Sequence, residues 1–395
     1  MRLHSSTRLF AALLSLALAA CSADGGGSTI PDAGSTDGSL LPDSSASDAA
    51  IDATSDAGPG DAGLDASPDA GPSCMCPTLP TRCSPPPSGD PRFTPDLDGT
   101  YGEQLLSLVA CADTRIQLAI YSADWSCLLE AIRARLAETP GLTLEVVTDD
   151  DQCPVVAGSR GCALSIFDGN PQVTVVDDAR SRLMHHKFLV ADGTRAWLGS
   201  ANFTQQSFCR DVNDGLILTQ PALVQGLVDE FNRFFVDGAF GPVPTAEPIV
   251  AGPYSLYFSP QTPVDSPSRW FDDLITRIDA STGWIRVMIF ALTRSEISDA
   301  LIRAKDRGVS VRVLVNPRFG AEAAVDALRT AGIEVREASV HAKVLAMDGR
   351  FVATGSANWS AAAWANDENS LFIDDPAIAL SYEARFDLTW ADATP

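Results

Sequence analysis

Two histidines and two lysines recur in this chain at matched spacing. His185-His186-Lys187, followed by Asp192 and Gly199-Ser200-Ala201-Asn202, returns 156 residues later as His341-Ala342-Lys343, Asp348 and Gly355-Ser356-Ala357-Asn358. Both copies read His-x-Lys, four residues, Asp, six residues, Gly-Ser-x-Asn. The chain's own habits single out the same positions. It has three lysines against 25 arginines, and three histidines beyond residue 21, yet two of each stand at matching places in the two copies. Arginine would serve a solvated surface equally well, so these positions require ammonium and imidazole. Imidazole can attack an electrophile or carry a proton, and ammonium neutralises an anion.

The elements that must hold these groups are legible around them. His185 to Ala191 and His341 to Met347 read as strands. Asp-Gly at 192 to 193 and 348 to 349 is a hairpin-turn signal leading into Arg195 to Leu198 and Phe351 to Thr354. Period-two geometry puts the His and Lys of each copy on one face and turns His186 away as a structural residue. Upstream, Ile116 to Tyr121 reads as a strand, Cys127 to Leu136 as an amphipathic helix and Leu142 to Thr148 as another strand. Ile285 to Phe290, Ser295 to Arg307 and Val309 to Val315 repeat that order. The expected fold is α/β, with two similar α/β sandwich halves, 96–245 and 246–395, each a mixed sheet flanked by helices. A pseudo-twofold axis would relate them, with the active site at their interface.

The paired motifs resemble the signature of the phospholipase D superfamily, His-Lys-Asp with a trailing Gly-Ser-x-Asn, over roughly residues 95 to 390. The resemblance implies one active site built from both copies, here within a single chain, so a monomer should suffice. A phosphodiester is anionic and leaves as a poor alkoxide. Such a site needs cations on the non-bridging oxygens, a nucleophile and an acid. Lys187, Lys343, Asn202 and Asn358 would supply the first. The resemblance makes His185 the nucleophile that forms a phosphohistidine and His341 the acid and base; the sequence leaves the reverse assignment open. Ser200 and Ser356 either donate to the phosphate or shape the turn. Asp192 and Asp348 belong to the catalytic motif, although the Asp-Gly turn reading makes them internal hydrogen-bond partners. The family places a Glu downstream that orients the motif histidine. The second copy offers Glu368, whereas the first has Asp211-Val212-Asn213-Asp214, in which Asn213 or Asp214 would substitute and leave the histidines unequally supported. The scheme needs neither metal nor cofactor, and Asp149-Asp150-Asp151 reads as a solvated loop rather than a cation site.

Composition bounds the substrate and the compartment. The formal charge is -23, and -15 from residue 72 onward, a field that repels polyanions and disfavours nucleic acid. Residues 1 to 21 pair Arg2 and Arg8 with an apolar run and end in Leu18-Ala19-Ala20-Cys21, which resembles a lipoprotein signal with Cys21 as the lipidated residue. Residues 22 to 73 are almost entirely Asp, Ala, Gly, Ser, Thr and Pro, with too little to bury, and read as a tether to the cell envelope, while 74–95 is a Cys/Pro-rich lead-in. The eight remaining cysteines all precede residue 210 and read as disulfides in an exported protein. The leading reading is a membrane-anchored hydrolase of phospholipid phosphodiesters. A secreted nuclease is the alternative, followed by a phosphatidyl transferase or an inactive binding module.

Overall fold

The computed structural model describes residues 76–77, 83–96, 99–156, 159–160, 162–264 and 266–395, all within one compact unit. The signal, Cys21, the tether and Cys74 lie outside the described residues. In chain order the first half carries β1 (Arg92–Phe93), α1 (Thr100–Ala110), β2 (Arg115–Ile120), α2 (Ser126–Glu138), β3 (Thr143–Thr148), the small pair β4 (Val155–Val156) and β5 (Ser159–Arg160), and β6 (Val173–Asp177). It continues with β7 (Lys187–Ala191), β8 (Arg195–Gly199), α3 (Gln205–Cys209), β9 (Asp214–Leu218) and α4 (Pro221–Phe235). The second half carries β10 (Ile249–Ala251), β11 (Tyr254–Ser259), α5 (Arg269–Ala280), β12 (Trp284–Ile289), α6 (Ser295–Asp306), β13 (Ser310–Val315) and α7 (Ala323–Thr330). It ends with β14 (Glu334–Glu337), β15 (Lys343–Met347), β16 (Phe351–Gly355), β17 (Glu368–Asp374) and α8 (Pro376–Asp392).

Strand order makes the internal repeat explicit. One sheet runs β1-β9-β8-β7-β2-β3-β6, and the other runs β10-β11-β17-β16-β15-β12-β13-β14. From β9 and from β17 onward the two orders coincide, and so does their polarity. β2 and β12 each pair parallel with one neighbour and antiparallel with the strand that follows the motif histidine. A mixed sheet of this kind arises because each half joins parallel strands through crossovers and then closes with hairpins.

Alternation along the strands assigns side chains to layers. In β2, Ile116, Leu118 and Ile120 enter an outer core under α1 and α2, while Ala119 faces a central core. In the second half Ile285, Val287 and Ile289 enter the outer core of α5, α6 and α7. The central core draws on both sheets. It joins Leu223, Leu227 and Phe231 of α4 to Ile378, Tyr382 and Phe386 of α8, with Phe188 and Val344 between them. Each such fully buried side chain contributes about 1.5–3 kcal/mol, and this shared layer makes the halves one body. α8 starts cleanly, with Pro376 in its first turn and the Asp375 carboxylate accepting the Ala377 and Ile378 N–H groups.

Disulfides staple the first half. Cys76–Cys127, Cys83–Cys111 and Cys153–Cys162 are formed, and Cys209 is also disulfide-bonded. Among the described residues no helix is long and apolar enough to cross a membrane.

Candidate active site

The hairpins expected at both motifs form between β7 and β8 and between β15 and β16. Asp192 and Asp348 take φ of 51° and 54° and the following glycines 63° and 62°, the double left-handed turn that Asp-Gly favours. The aspartate side chains face away from the chemistry. Asp192 accepts the Asp113, Thr114 and Arg115 N–H groups and the Thr114 hydroxyl at 2.7–2.9 Å. Asp348 accepts from Ser281, Thr282, Gly283 and Trp284 at 2.8–3.1 Å. Burial opposes ionisation of both, but these donors outweigh it and hold each carboxyl below its usual range. The two aspartates thus pin each hairpin to the start of β2 and β12.

The Gly-Ser-x-Asn segment follows from close approach. A Cβ on Gly199 would lie 2.2 Å from the Asp214 carbonyl oxygen, and one on Gly355 would lie 2.4 Å from that of Asn369. The serines then stitch β8 to β9 and β16 to β17. Ser200 donates to Asp214 Oδ1 at 2.7 Å and accepts the Asp214 N–H at 3.1 Å, while Ser356 accepts the Asn369 N–H at 2.9 Å. Both hydroxyls thus take part in the turn. Asn202 and Asn358 are buried beside them.

The strands of the motifs begin two residues later than the sequence suggests, at Lys187 and Lys343. The histidines leave the ladder because their backbone pairs across to the other half. His185 N–H donates to the Asp367 carbonyl at 2.9 Å, and His341 N–H donates to that of Val212 at 2.9 Å. The side chains repeat the exchange. His185 Nδ1 lies 2.7 and 2.8 Å from the two carboxylate oxygens of Glu368, and His341 Nδ1 lies 2.9 Å from Asn213 Oδ1. Gly199 pairs with Gly215 and Gly355 with Ser370, so Asn213 and Glu368 hold equivalent places. Each half therefore orients the other half's imidazole. Within one copy Glu368 would have belonged to His341; the crossing corrects that pairing, while the unequal support stands.

Both lysines are buried and both bond their own turn, Lys187 to the His185 carbonyl at 2.9 Å and Lys343 to the His341 carbonyl at 2.8 Å. Each ammonium sits over an aromatic ring, Lys187 over Tyr121 at 5.4 Å and Lys343 over Phe290 at 5.1 Å. The same rings lie 5.2 and 4.7 Å from the imidazoles of His185 and His341. An aromatic face stabilises a desolvated cation through the negative face of its ring.

Two imidazoles, each oriented from the opposite half and each followed by a lysine held by its own half, are accompanied by a match in sequence. The family model described as "Cardiolipin synthase, PLD-like domain" matches residues 105–235 and 274–390. The chain belongs to the phospholipase D superfamily. Among its relatives in this superfamily, the mitochondrial cardiolipin hydrolase of Chlamydomonas reinhardtii is 33% identical over 130 residues, 31% of this chain and 56% of that protein. The protein of the same name from Xenopus laevis is 30% identical over 165 residues, 40% of this chain and 77% of that protein. The crystal structure of phosphatidylserine synthase from Haemophilus influenzae shares the fold, with a TM-score of 0.56 at 14% identity, covering 75% of this chain and 84% of that one.

Several groups beside the superfamily motif escape a motif search. Asp149 is buried, not part of a solvated loop, and its carboxylate accepts the Met184 N–H at 3.0 Å, one residue before His185. Burial and the neighbouring Asp178 push its carboxyl up to about 8, and burial pushes Asp178 up to about 7. Arg180 bridges Asp178 and Asp367, and Arg233 pairs with Glu230, whose carboxylate lies 3.4 Å from His186 Nε2. Burial lowers the basicity of His186, which also meets Asn369 through Nδ1 at 3.0 Å. His186 thus sits in a charged brace behind the reactive segment. In the sequence these acidic residues stand in short runs, Asp149-Asp150-Asp151, Asp177-Asp178, Asp229-Glu230 and Asp367-Glu368, a pattern that does not distinguish a buried network from a solvated loop.

Proposed function

We propose that this chain is a phospholipase D-type phosphodiesterase that hydrolyses phospholipids through a phosphohistidine on His185, with His341 as acid and then base. The observation that carries the assignment is the unequal pair of anchors, Glu368 on His185 and Asn213 on His341. A carboxylate on Nδ1 fixes the Nδ1–H tautomer, so the lone pair resides on Nε2, and it stabilises the positive ring that forms as nitrogen bonds to phosphorus. An amide oxygen also fixes the tautomer but leaves an imidazolium unneutralised, which favours giving up a proton. The sequence left the two assignments open, and this asymmetry supports His185 as nucleophile.

The reaction then balances in two steps. His185 Nε2 attacks phosphorus and the P–O bond to the leaving alcohol breaks, while His341 donates the proton that the alkoxide takes. Water then attacks the phosphohistidine, His341 accepts its proton and the P–N bond breaks. Lys187, Lys343, Asn202 and Asn358 would hold the non-bridging oxygens as negative charge shifts between them. No step requires a metal.

Lipid as substrate is supported by the acidic charge, which opposes a polyanion, and by similarity to proteins named cardiolipin hydrolases. The lipoprotein-like signal and the disulfides fit export to an oxidising compartment, with the catalytic unit anchored at the envelope as a monomer. The test is the purified full chain, with His185→Ala and His341→Ala variants, assayed with chelator on anionic phospholipid vesicles, single-stranded and duplex DNA, and an aryl phosphodiester. Histidine-dependent lipid turnover that survives chelator is expected. Chelator-sensitive turnover, or DNA cleaved far faster than lipid, would overturn the reading.

A further inference from the structure

The family match begins at residue 105, yet the site is braced by a residue that precedes it. β1 forms the edge of the first sheet, pairing Arg92 with Gly215 and Phe93 with Asp214. Thr94, next in the chain, is fully buried. Its hydroxyl donates to the Asp211 carbonyl at 2.6 Å and accepts the Asn213 N–H at 2.9 Å, and its own N–H donates to the Asn213 carbonyl at 3.1 Å. Its carbonyl accepts from the Arg385 guanidinium of α8. Both main-chain polar groups of Asn213 therefore end on Thr94.

The other side of the same tripeptide faces the second motif. Val212 N–H donates to the Ser339 carbonyl at 2.7 Å, and the Val212 carbonyl accepts the His341 and Ala342 N–H groups at 2.9 and 2.8 Å. Asn213 then reaches His341 Nδ1 with Oδ1 and the Ser207 carbonyl with Nδ2 at 3.2 Å. The second half has a related stretch, Phe258-Ser259-Pro260 against Phe93-Thr94-Pro95, but its hydroxyl is used differently. Ser259 pairs with Glu368 in the sheet, and its side chain donates to the Ala363 carbonyl at 3.2 Å. The extra clamp thus stands behind the neutral anchor. A carboxylate draws a ring N–H to itself by charge, whereas an amide must be placed by the backbone that carries it.

We propose that Thr94 is a positioning residue for the general acid, acting through Asn213 to hold His341 in line with the departing oxygen. This rests on the acid/base role given to His341 above. Protonation matters for an alkyl leaving group and little for nitrophenolate, so loss of the clamp should discriminate between the two. kcat/KM is measured for matched alkyl and nitrophenyl phosphodiesters on the full chain, wild type and Thr94→Val. The variant is expected to lose on the order of ten- to a hundredfold with the alkyl ester and less than about threefold with the nitrophenyl ester.

Thr94→Ser, which keeps the hydroxyl, should restore the alkyl activity, and Thr94→Val should add no further selectivity in an Asn213→Ala background. If valine is not accommodated, Thr94→Ala carries the same comparison. Equal losses with both esters, no loss with the alkyl ester, or an additive loss in the Asn213→Ala background would each overturn the proposal. A His341→Ala enzyme with undiminished alkyl turnover would instead remove the acid/base reading itself, whatever Thr94 does.

Discussion

Replacing Glu368 by Gln keeps the shape of the anchor and removes its charge. The glutamine oxygen still accepts from His185 Nδ1, so the tautomer and ring orientation persist, as they do for His341 on Asn213. What disappears is the counter-charge to the cationic ring formed during attack. His185 and Glu368 are 1% and 0% exposed, with oxygens 2.7 and 2.8 Å from Nδ1, so bulk water screens the pair little. A unit charge about 4 Å from the ring centre contributes about 4 kcal/mol at an effective dielectric near 20, and the retained neutral hydrogen bond recovers part of it. A net loss of roughly 2–4 kcal/mol corresponds to about 30- to 1000-fold in kcat/KM.

The assay is kcat/KM with a nitrophenyl phosphodiester, which isolates nucleophilic attack from leaving-group protonation. Thermal melting checks that the variant remains folded. Asn213→Ala removes only a neutral contact on the other histidine, and its loss on this substrate should be about fivefold or less. A folded Glu368→Gln enzyme within about threefold of wild type, or one less impaired than Asn213→Ala, would show that His185 is not the ring that becomes positively charged, and the assignment of roles would reverse.

Other outcomes follow from the same geometry. Asp192→Ala and Asp348→Ala should each cost about 2–3 kcal/mol of stability through the stranded N–H groups, read by denaturant unfolding, while folded enzyme keeps kcat/KM within about twofold. Asp149 and Asp178 have folded pKa values of about 8 and 7, above those of an unfolded aspartate. Their protonated forms favour the folded state, so that stability is fully present below about pH 4 and is lost as pH rises through 7 and 8. Asp178→Asn should flatten the fall in melting temperature between about pH 5 and 8. Reduction should lower the melting temperature, because Cys76–Cys127 and Cys83–Cys111 close spans of 51 and 28 residues, each worth about 3–4 kcal/mol. A melt unchanged by dithiothreitol, under conditions where free thiols appear, would contradict that role.

The residues themselves determined a good deal. A chain with three lysines that spends two of them beside its histidines declares a site, and the Asp-Gly steps declare both hairpins. The strand, helix and strand ahead of each motif followed from periods of two and of 3.6, because those patterns depend on neighbours a few residues apart. The tertiary structure decided what depends on how two halves meet. Only there does Glu368 serve His185 and Asn213 serve His341, across 183 and 128 residues of sequence. The same packing buries Asp149, turns Asp192 and Asp348 into hairpin pins, and brings Thr94 behind Asn213. Local pattern fixes which face a side chain takes within its own sheet. The hydrogen-bond partner waiting on the other sheet depends on the register of the two halves, set by the shared central core, which no short window of sequence contains.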